Sequence, residues 1–154
     1  MEDTFFKLIT IFTALLFGFD YFFVSVFNKG LIFVPVVSKQ ITMKFVLSAL
    51  LITSITFRIF ILMFVILSIA FSLLNSINLE LLVWLSLFIQ IFYHIYFVGY
   101  LFPKVRRIIY WDYKNPISKW ESLYQNYLKA SNYLLAVSII TLILTVTAFF
   151  LYKI

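Results

Sequence analysis

Three ionisable side chains, Asp20, Arg58 and His94, lie inside otherwise apolar stretches of the sequence. A carboxylate and a guanidinium attract each other, and an imidazole can carry a proton or bind a metal or a haem iron. A charge in an apolar environment is costly unless it is paired, so these groups are expected to face inward and to meet. They are the first candidates for a functional site.

The composition places these residues in a membrane protein. Of the 154 residues, 64% are hydrophobic and 12% are charged, whereas soluble domains average about 45–50% apolar and about 25% charged residues. This balance excludes a soluble globular fold, and the high aromatic content excludes a disordered chain. The sequence therefore predicts an all-α, polytopic membrane protein.

Four apolar runs are long enough to cross the hydrocarbon as helices, which takes about 20 residues. The predicted transmembrane helices cover about residues 5–27, 46–74, 81–102 and 131–152. The third is expected to end at Pro103, because proline disfavours helical geometry in the residue before it. The predicted architecture is an antiparallel four-helix bundle that forms a single transmembrane domain over residues 1–154.

The connections between these helices have distinct compositions. The apolar piece from Leu31 to Val37 contains a proline and is too short to span, which predicts an interfacial or re-entrant segment, with an extended linker as the alternative. The stretch from Lys104 to Lys129 mixes aromatic residues with cations, which indicates an amphipathic segment at headgroup level. A turn is predicted over residues 75–78.

The cations are divided unevenly between the two ends of the predicted bundle. Two lie near the termini, Lys7 and Lys153, and nine lie in the loops after the first and third helices. The nine are Lys29, Lys39, Lys44, Lys104, Arg106, Arg107, Lys114, Lys119 and Lys129. The positive-inside rule predicts an inner (plasma) membrane protein with both basic loops in the cytoplasm and both termini outside. Because these cations act as topology signals, nucleic acid is not an expected partner.

The ionisable residues are predicted to share one buried layer. At 1.5 Å per residue, Asp20 lies about 10 Å and His94 about 12 Å from the basic ends of their helices. Counted from Ser48 as the point where the second helix enters the hydrocarbon, Arg58 lies about 15 Å deep, and its side chain leans back toward the same end. With Gln90 and Tyr93, which neighbour His94 on the third helix, these residues form the predicted buried polar layer.

Polar or small residues recur at helical spacing on every predicted helix, which indicates inward faces. The first helix carries Thr10, Thr13 and Asp20 on a stripe through Phe17, and the second carries Ser54 and Arg58. The third carries Ser86, Gln90 and His94, and the fourth carries Ser131, Ser138, Thr141, Thr145 and Ala148. These stripes predict a self-packed bundle with a polar centre.

The sequence offers few metal ligands. It contains no Cys, one His and six acidic residues, so no metal site is predicted and thiolate chemistry is excluded. Two interpretations of the polar layer stay open. It is either a structural ion pair that fixes helix register, or a proton-relay, ligand or haem-propionate site.

The segment Tyr93–Tyr96, followed by a basic loop and a final apolar helix, resembles the bacterial four-helix membrane protoporphyrinogen oxidases. At the level of architecture the chain is also similar to the copper-resistance-D-like and related uncharacterised four-helix families. The resemblance implies haem as a cofactor, with His94 as its axial ligand and Arg58 near a propionate. The family's first-helix His, three residues after a Lys, is replaced here by Thr10 after Lys7, and its third-helix Lys has no counterpart.

Three functions follow as hypotheses. The favoured one is an accessory or ligand-binding component of the membrane, not an enzyme by itself, that acts through the layer of Asp20, Arg58 and His94. The second is the haem-linked oxidoreductase that the resemblance implies. The third is a component of a proton-coupled transporter, with Asp20 and His94 as the relay. The lipid bilayer is the expected partner, and a homo-oligomer or a larger membrane complex is left open.

Overall fold

A computed structural model describes residues 2–74, 81–112 and 116–152 of the chain. Within these ranges every secondary-structure element is helical, which confirms the predicted all-α class. Four stretches are long and apolar enough to span a membrane: Phe6–Phe33, Val36–Leu74, Leu81–Ile109 and Ile117–Phe150. The predicted turn over residues 75–78 and the cation Lys114 lie outside the described residues.

Five α-helices build these four spans. They are α1 (Glu2–Tyr21), α2 (Val36–Leu74), α3 (Leu81–Tyr96), α4 (Phe102–Ile109) and α5 (Ile117–Tyr152). After α1 the first span continues as a π-helix over Phe22–Phe27, an α-helical turn over Asn28–Gly30 and a 3-10 turn over Leu31–Phe33. A second π-helix, Phe97–Leu101, joins α3 to α4. All four spans are thus longer than the sequence-based bounds.

The connection after the first span is a short break and not a separate interfacial segment. The chain stays helical through Phe33, and only Val34, which is extended, and Pro35 stand between the two spans. The carbonyl of Pro35 accepts a hydrogen bond of 2.8 Å from the backbone N–H of Lys39. Proline is tolerated at a helix start because its missing N–H would have no partner there. Pro35 therefore begins the second span as well as ending the first.

Pro103 does not end the third span, contrary to the sequence-based expectation. The residue lies in the first turn of α4, directly after the π-helix Phe97–Leu101. A proline inside a helix cannot donate to the carbonyl four residues earlier, and a π-helical turn is one of the ways a helix absorbs this loss. The third span consequently continues to Ile109.

The two longest helices exceed the thickness of a bilayer. α2 has 39 residues and α5 has 36, which correspond to about 58 Å and about 54 Å, against about 30 Å of hydrocarbon. Their basic ends meet, since the Lys39 ammonium lies 5.4 Å from the centre of the Tyr124 ring. The amphipathic stretch around Tyr124 therefore continues the spans as helix instead of forming a separate segment along the membrane surface.

The helices form a four-sided bundle in which sequential spans are neighbours. α1 packs against α2 and α5, and α3 packs against the same two helices from the opposite corner. The side chain of Gln90 meets Thr145, whereas Tyr96, further along α3, reaches the carbonyl of Ala130 at 3.4 Å. Because position rises along α3 as it falls along α5, these two helices are antiparallel.

Buried positions on the helices alternate at spacings of three and four, the period of left-handed bundles. On α5 this pattern comprises Trp120, Tyr124, Tyr127, Ser131, Leu134, Ser138, Thr141, Thr145 and Ala148, and Ala130 is buried beside Ser131. On α1 they are Phe6, Ile9, Thr13, Leu16 and Asp20. Leu16 thus takes the place predicted for Phe17, and Thr10 is half-buried, with its hydroxyl donating to the Phe6 carbonyl at 2.8 Å.

Candidate functional site

The candidate site begins with an ion pair between α1 and α2. The Nη2 atom of Arg58 lies 3.3 Å from Oδ1 and 3.4 Å from Oδ2 of Asp20. Both residues are buried, with 5% of Asp20 and 4% of Arg58 exposed. The helical rise on two antiparallel neighbours brings the two positions to one level, so the charges compensate each other inside the bundle.

Tyr93 joins this pair from α3, across the diagonal of the bundle. Its hydroxyl donates a hydrogen bond to Oδ2 of Asp20 and accepts one of 3.3 Å from Nη2 of Arg58. On α2 itself, Nε of Arg58 donates to the hydroxyl of Ser54 at 3.3 Å. We refer to Asp20, Ser54, Arg58 and Tyr93 as the Asp20 network, which links three of the four spans.

The guanidinium of Arg58 also lies against aromatic rings. Its Cζ atom is 3.8 Å from the centre of the Phe97 ring and 4.7 Å from that of Tyr93. Such cation–π contacts stabilise a guanidinium more strongly when it is removed from water. The Nη1 atom of Arg58 is buried and has no hydrogen-bond partner among the described residues. The network therefore keeps one unused donor.

Gln90 forms a second polar contact, one turn before Tyr93 on α3. Its amide nitrogen donates to the hydroxyls of Thr13 at 2.7 Å and Thr145 at 2.9 Å. It thereby connects α3 to α1 and α5. These hydrogen bonds fix the register of three helices, which is a structural role.

His94 lies apart from the ion pair with which the sequence analysis grouped it. Its Nδ1 atom is 2.6 Å from the carbonyl oxygen of Gln90, and its ring stands edge-on to Tyr93 at 5.2 Å. Its Nε2 atom is buried and has no partner in the described part of the chain. No hydrogen bond joins His94 to Asp20 or Arg58 within those residues. The predicted layer thus divides into the Asp20 network and a His94–Gln90 pair.

A cavity of about 50 Å³ lies beside the Asp20 network and is partly open to the outside. Its polar lining consists of Asp20, Ser54, Tyr127 and Ser131, and apolar side chains from all four spans complete its wall. Since about 10–15 Å³ of such volume holds one water molecule, the cavity admits a few waters or a similarly small solute.

Sequence reasoning missed Tyr127 as a site residue. It is 2% exposed and lines the cavity, although its aromatic and basic surroundings predicted an interfacial anchor. Trp120 and Tyr124 are also buried, which corrects the same expectation. The signal that could have found them is spacing, because these aromatic positions continue the buried stripe of Ser131 and Ser138 at intervals of three and four.

The chain matches no protein-family model, no curated protein and no solved structure. Function is therefore argued from the site alone.

The residues around His94 do not fit the haem that the family resemblance implies. His94 does not line the cavity, which admits only a few waters and is far too small for a porphyrin. The guanidinium of Arg58 is bound by Asp20 instead of facing a space that a propionate could occupy. Among the described residues, no three His, Cys, Asp or Glu side chains cluster as metal ligands either.

Proposed function

We propose that this protein is a small integral membrane protein that binds a small polar ligand at the Asp20 network, as a ligand-binding or accessory component of the membrane. The four apolar spans support the membrane location. The observation that carries the proposal is that Asp20 is held by Arg58 and also lines the cavity.

The Asp20 carboxylate has capacity for a further hydrogen bond. An ionised carboxylate offers about four acceptor positions, and Arg58 and Tyr93 together occupy three of them. A purely structural ion pair gains nothing from a cavity at its side, because protein interiors are otherwise closely packed. A ligand that donates a hydrogen bond can fill the remaining position from the cavity.

The other cavity groups define the chemical class of this ligand. Ser54, Tyr127 and Ser131 supply hydroxyl groups, which can both donate and accept. The remainder of the wall is apolar, and the charge of Asp20 is already compensated by Arg58. The site therefore suits a neutral polar solute of a few heavy atoms with at least one donor. Both π-helices also contribute to the wall, and π-helical turns frequently mark functional sites.

A proton-coupled transporter is the second candidate. Ser54, Arg58, Tyr93 and Asp20 form a continuous hydrogen-bonded chain beside the cavity. As such a transporter, the protein would hold and pass the proton through Asp20 and Tyr93, since His94 is not hydrogen-bonded to Asp20. Proton flux in proteoliposomes that depends on an imposed pH gradient and is lost in Asp20→Asn would favour this candidate over passive ligand binding.

The ligand site can be tested by cysteine labelling, because the chain contains no native Cys. Ser131→Cys places a thiol in the cavity wall, whereas Ser138→Cys places one on the same buried face of α5 outside the cavity. We expect a small methanethiosulfonate reagent to modify the first variant at least about tenfold faster than the second. Equal labelling rates would contradict an accessible cavity.

Protection then identifies the ligand class. Urea, formamide, glycerol and methylammonium are each added in turn before the labelling of Ser131→Cys. We expect a neutral donor such as urea or formamide to slow the reaction, and Asp20→Asn in the same background to remove this protection. Protection by methylammonium alone would indicate a cation site, and the absence of protection by every probe would contradict ligand binding at Asp20.

A further inference from the structure

A second site lies at the basic end of the bundle, where α4 ends and α5 begins. A groove of about 500 Å³ lies there. It is open at the surface and shares no lining residue with the cavity at Asp20. Its polar lining comprises Arg107, Trp111, Asp112, Lys119, Ser122 and Asn126. We call this feature the basic groove.

The charge of the basic groove is positive. Arg107 and Lys119 are exposed on its two sides, one from each helix, and neither forms an ion pair within the described residues. Asp112 is the acidic residue in the lining. Two cations against one carboxylate leave a net attraction for an anion, and a guanidinium matches the oxygens of a phosphate in a bidentate geometry.

Neutral hydrogen-bonding groups accompany the two cations. Ser122 and Asn126 are four residues apart on α5, so their side chains lie on the same face and line the groove together. The indole nitrogen of Trp111 is buried and has no acceptor in the part of the chain that the structure describes. Tryptophan is enriched at the headgroup level of membranes, where its N–H finds polar partners.

We propose that the basic groove binds a phosphate group, carried by an anionic phospholipid or free in solution. Helix α4 ends at Ile109 and helix α5 begins at Ile117, so the groove lies at the basic end of the bundle, beyond the apolar middle of the spans. The volume of the groove admits a phosphate group from either source. The site is independent of the ligand proposed for the Asp20 network.

The test compares two double variants of equal charge change. Arg107→Gln with Lys119→Gln removes both groove cations. Arg106→Gln with Lys129→Gln removes two exposed cations of the same helices that do not line the groove. The purified proteins are titrated in neutral detergent with short-chain phosphatidylglycerol, with diacylglycerol and with inorganic phosphate, and binding is followed by native mass spectrometry.

We expect the wild type to bind phosphatidylglycerol and not diacylglycerol. The groove variant should bind phosphatidylglycerol about tenfold more weakly than the wild type, because it lacks both cations. The affinity of the control variant should differ from that of the wild type by less than about twofold. If inorganic phosphate displaces the lipid, the site also takes free phosphate. If it does not, the lipid is the source. Equal losses in the two variants would show a diffuse basic surface, and equal binding of diacylglycerol would show apolar adsorption. Either result would overturn the proposal.

Discussion

Arg58 connects more of the bundle than any other side chain of the Asp20 network. It pairs with Asp20 on α1, contacts Tyr93 and the ring of Phe97 in the third span, and bonds to Ser54 on its own helix. Buried ion pairs gain little over apolar packing, but removing one partner leaves an uncompensated charge. The contribution of Arg58 to the stability of the protein therefore depends on Asp20, and the contribution of Asp20 depends on Arg58.

The first prediction concerns this coupling. Asp20→Asn and Arg58→Gln should each lower the free energy of unfolding by about 3–5 kcal/mol, because each leaves the other charge buried and unpaired. The double variant should lose clearly less than the sum of the two single losses. Titration of a mild detergent with a denaturing detergent, which form mixed micelles, measures the free energy of unfolding of the three variants. Arg106→Gln, at an exposed position, is the control and should change this free energy little. Strict additivity would show that the two groups do not interact.

The second prediction concerns the hydroxyl of Tyr93. Tyr93→Phe keeps the ring beside Arg58 but removes one hydrogen bond to Asp20 and one from Arg58. We expect a loss of about 1–3 kcal/mol in stability, because the remaining buried groups lose a partner. Tyr133→Phe removes a hydroxyl from a side chain that is 65% exposed and should be nearly neutral. A Tyr93→Phe protein as stable as the wild type would remove Tyr93 from the network.

The third prediction separates a structural role of His94 from a ligand role. His94→Gln can retain a hydrogen bond to the carbonyl of Gln90, so the bundle should stay folded with little change in melting temperature. The purified wild type should show no Soret absorbance, in keeping with the closed packing around His94. A Soret band that disappears in His94→Gln would reverse this conclusion and favour the haem oxidoreductase.

At the residue scale, the sequence predicted that Asp20 and Arg58 lie at one level of the bundle, but it did not predict which side chain of α3 points toward them. The rise of a helix is fixed, so counting along the chain brings Asp20 and Arg58 to the same level. Depth does not determine which side of α3 faces α1. Tyr93 and His94 are consecutive and point about 100° apart, and the structure turns Tyr93 toward Asp20. Which of the two does so depends on the packing of all four helices, which no single segment encodes.

The helices pack through small side chains on α5. Ala148 and Thr141 are completely buried on its inner face, where small residues allow close approach between helices. The fourth prediction is that Ala148→Leu overpacks this contact and costs about 1–3 kcal/mol. Thr147→Leu, one position along the helix and exposed, adds similar volume on the outer face. It should leave the melting temperature in detergent unchanged, and an equal effect of both variants would contradict close packing at Ala148.

The average composition of a segment gives a wrong prediction where its helix has one buried and one exposed face. The residues from Lys104 to Lys129 average to an amphipathic stretch, yet Trp120, Tyr124 and Tyr127 lie on the buried face of a continuous helix. A window average mixes both faces, whereas spacing separates them. The helices also extend beyond the predicted spans, because cations that mark the end of the hydrocarbon do not end a helix.

The molecule as a whole is predicted to carry nine of its twelve Lys and Arg residues at one end. The positive-inside rule predicts that this end is cytoplasmic, and the fifth prediction tests it. In a chain without native Cys, single thiols at Lys39→Cys and Lys119→Cys should be shielded from an impermeant maleimide in intact cells and react after permeabilisation. Thr4→Cys, near the opposite end, should react in intact cells. The reverse pattern would place both termini in the cytoplasm.

The two π-helices give the bundle a tolerance to changes in length. Each π turn contains one residue more than the α-helical turn it replaces, and both border the cavity through Phe23 and Phe97. Deleting one residue within Phe22–Phe27 would restore a regular α-helical turn, and the residues beyond it would keep the faces that they now present. Asn28 and Leu31 would stay in the core, and Asp20, before the deletion, would keep its orientation. The basic end can therefore gain or lose a residue without moving the carboxylate at the centre of the bundle.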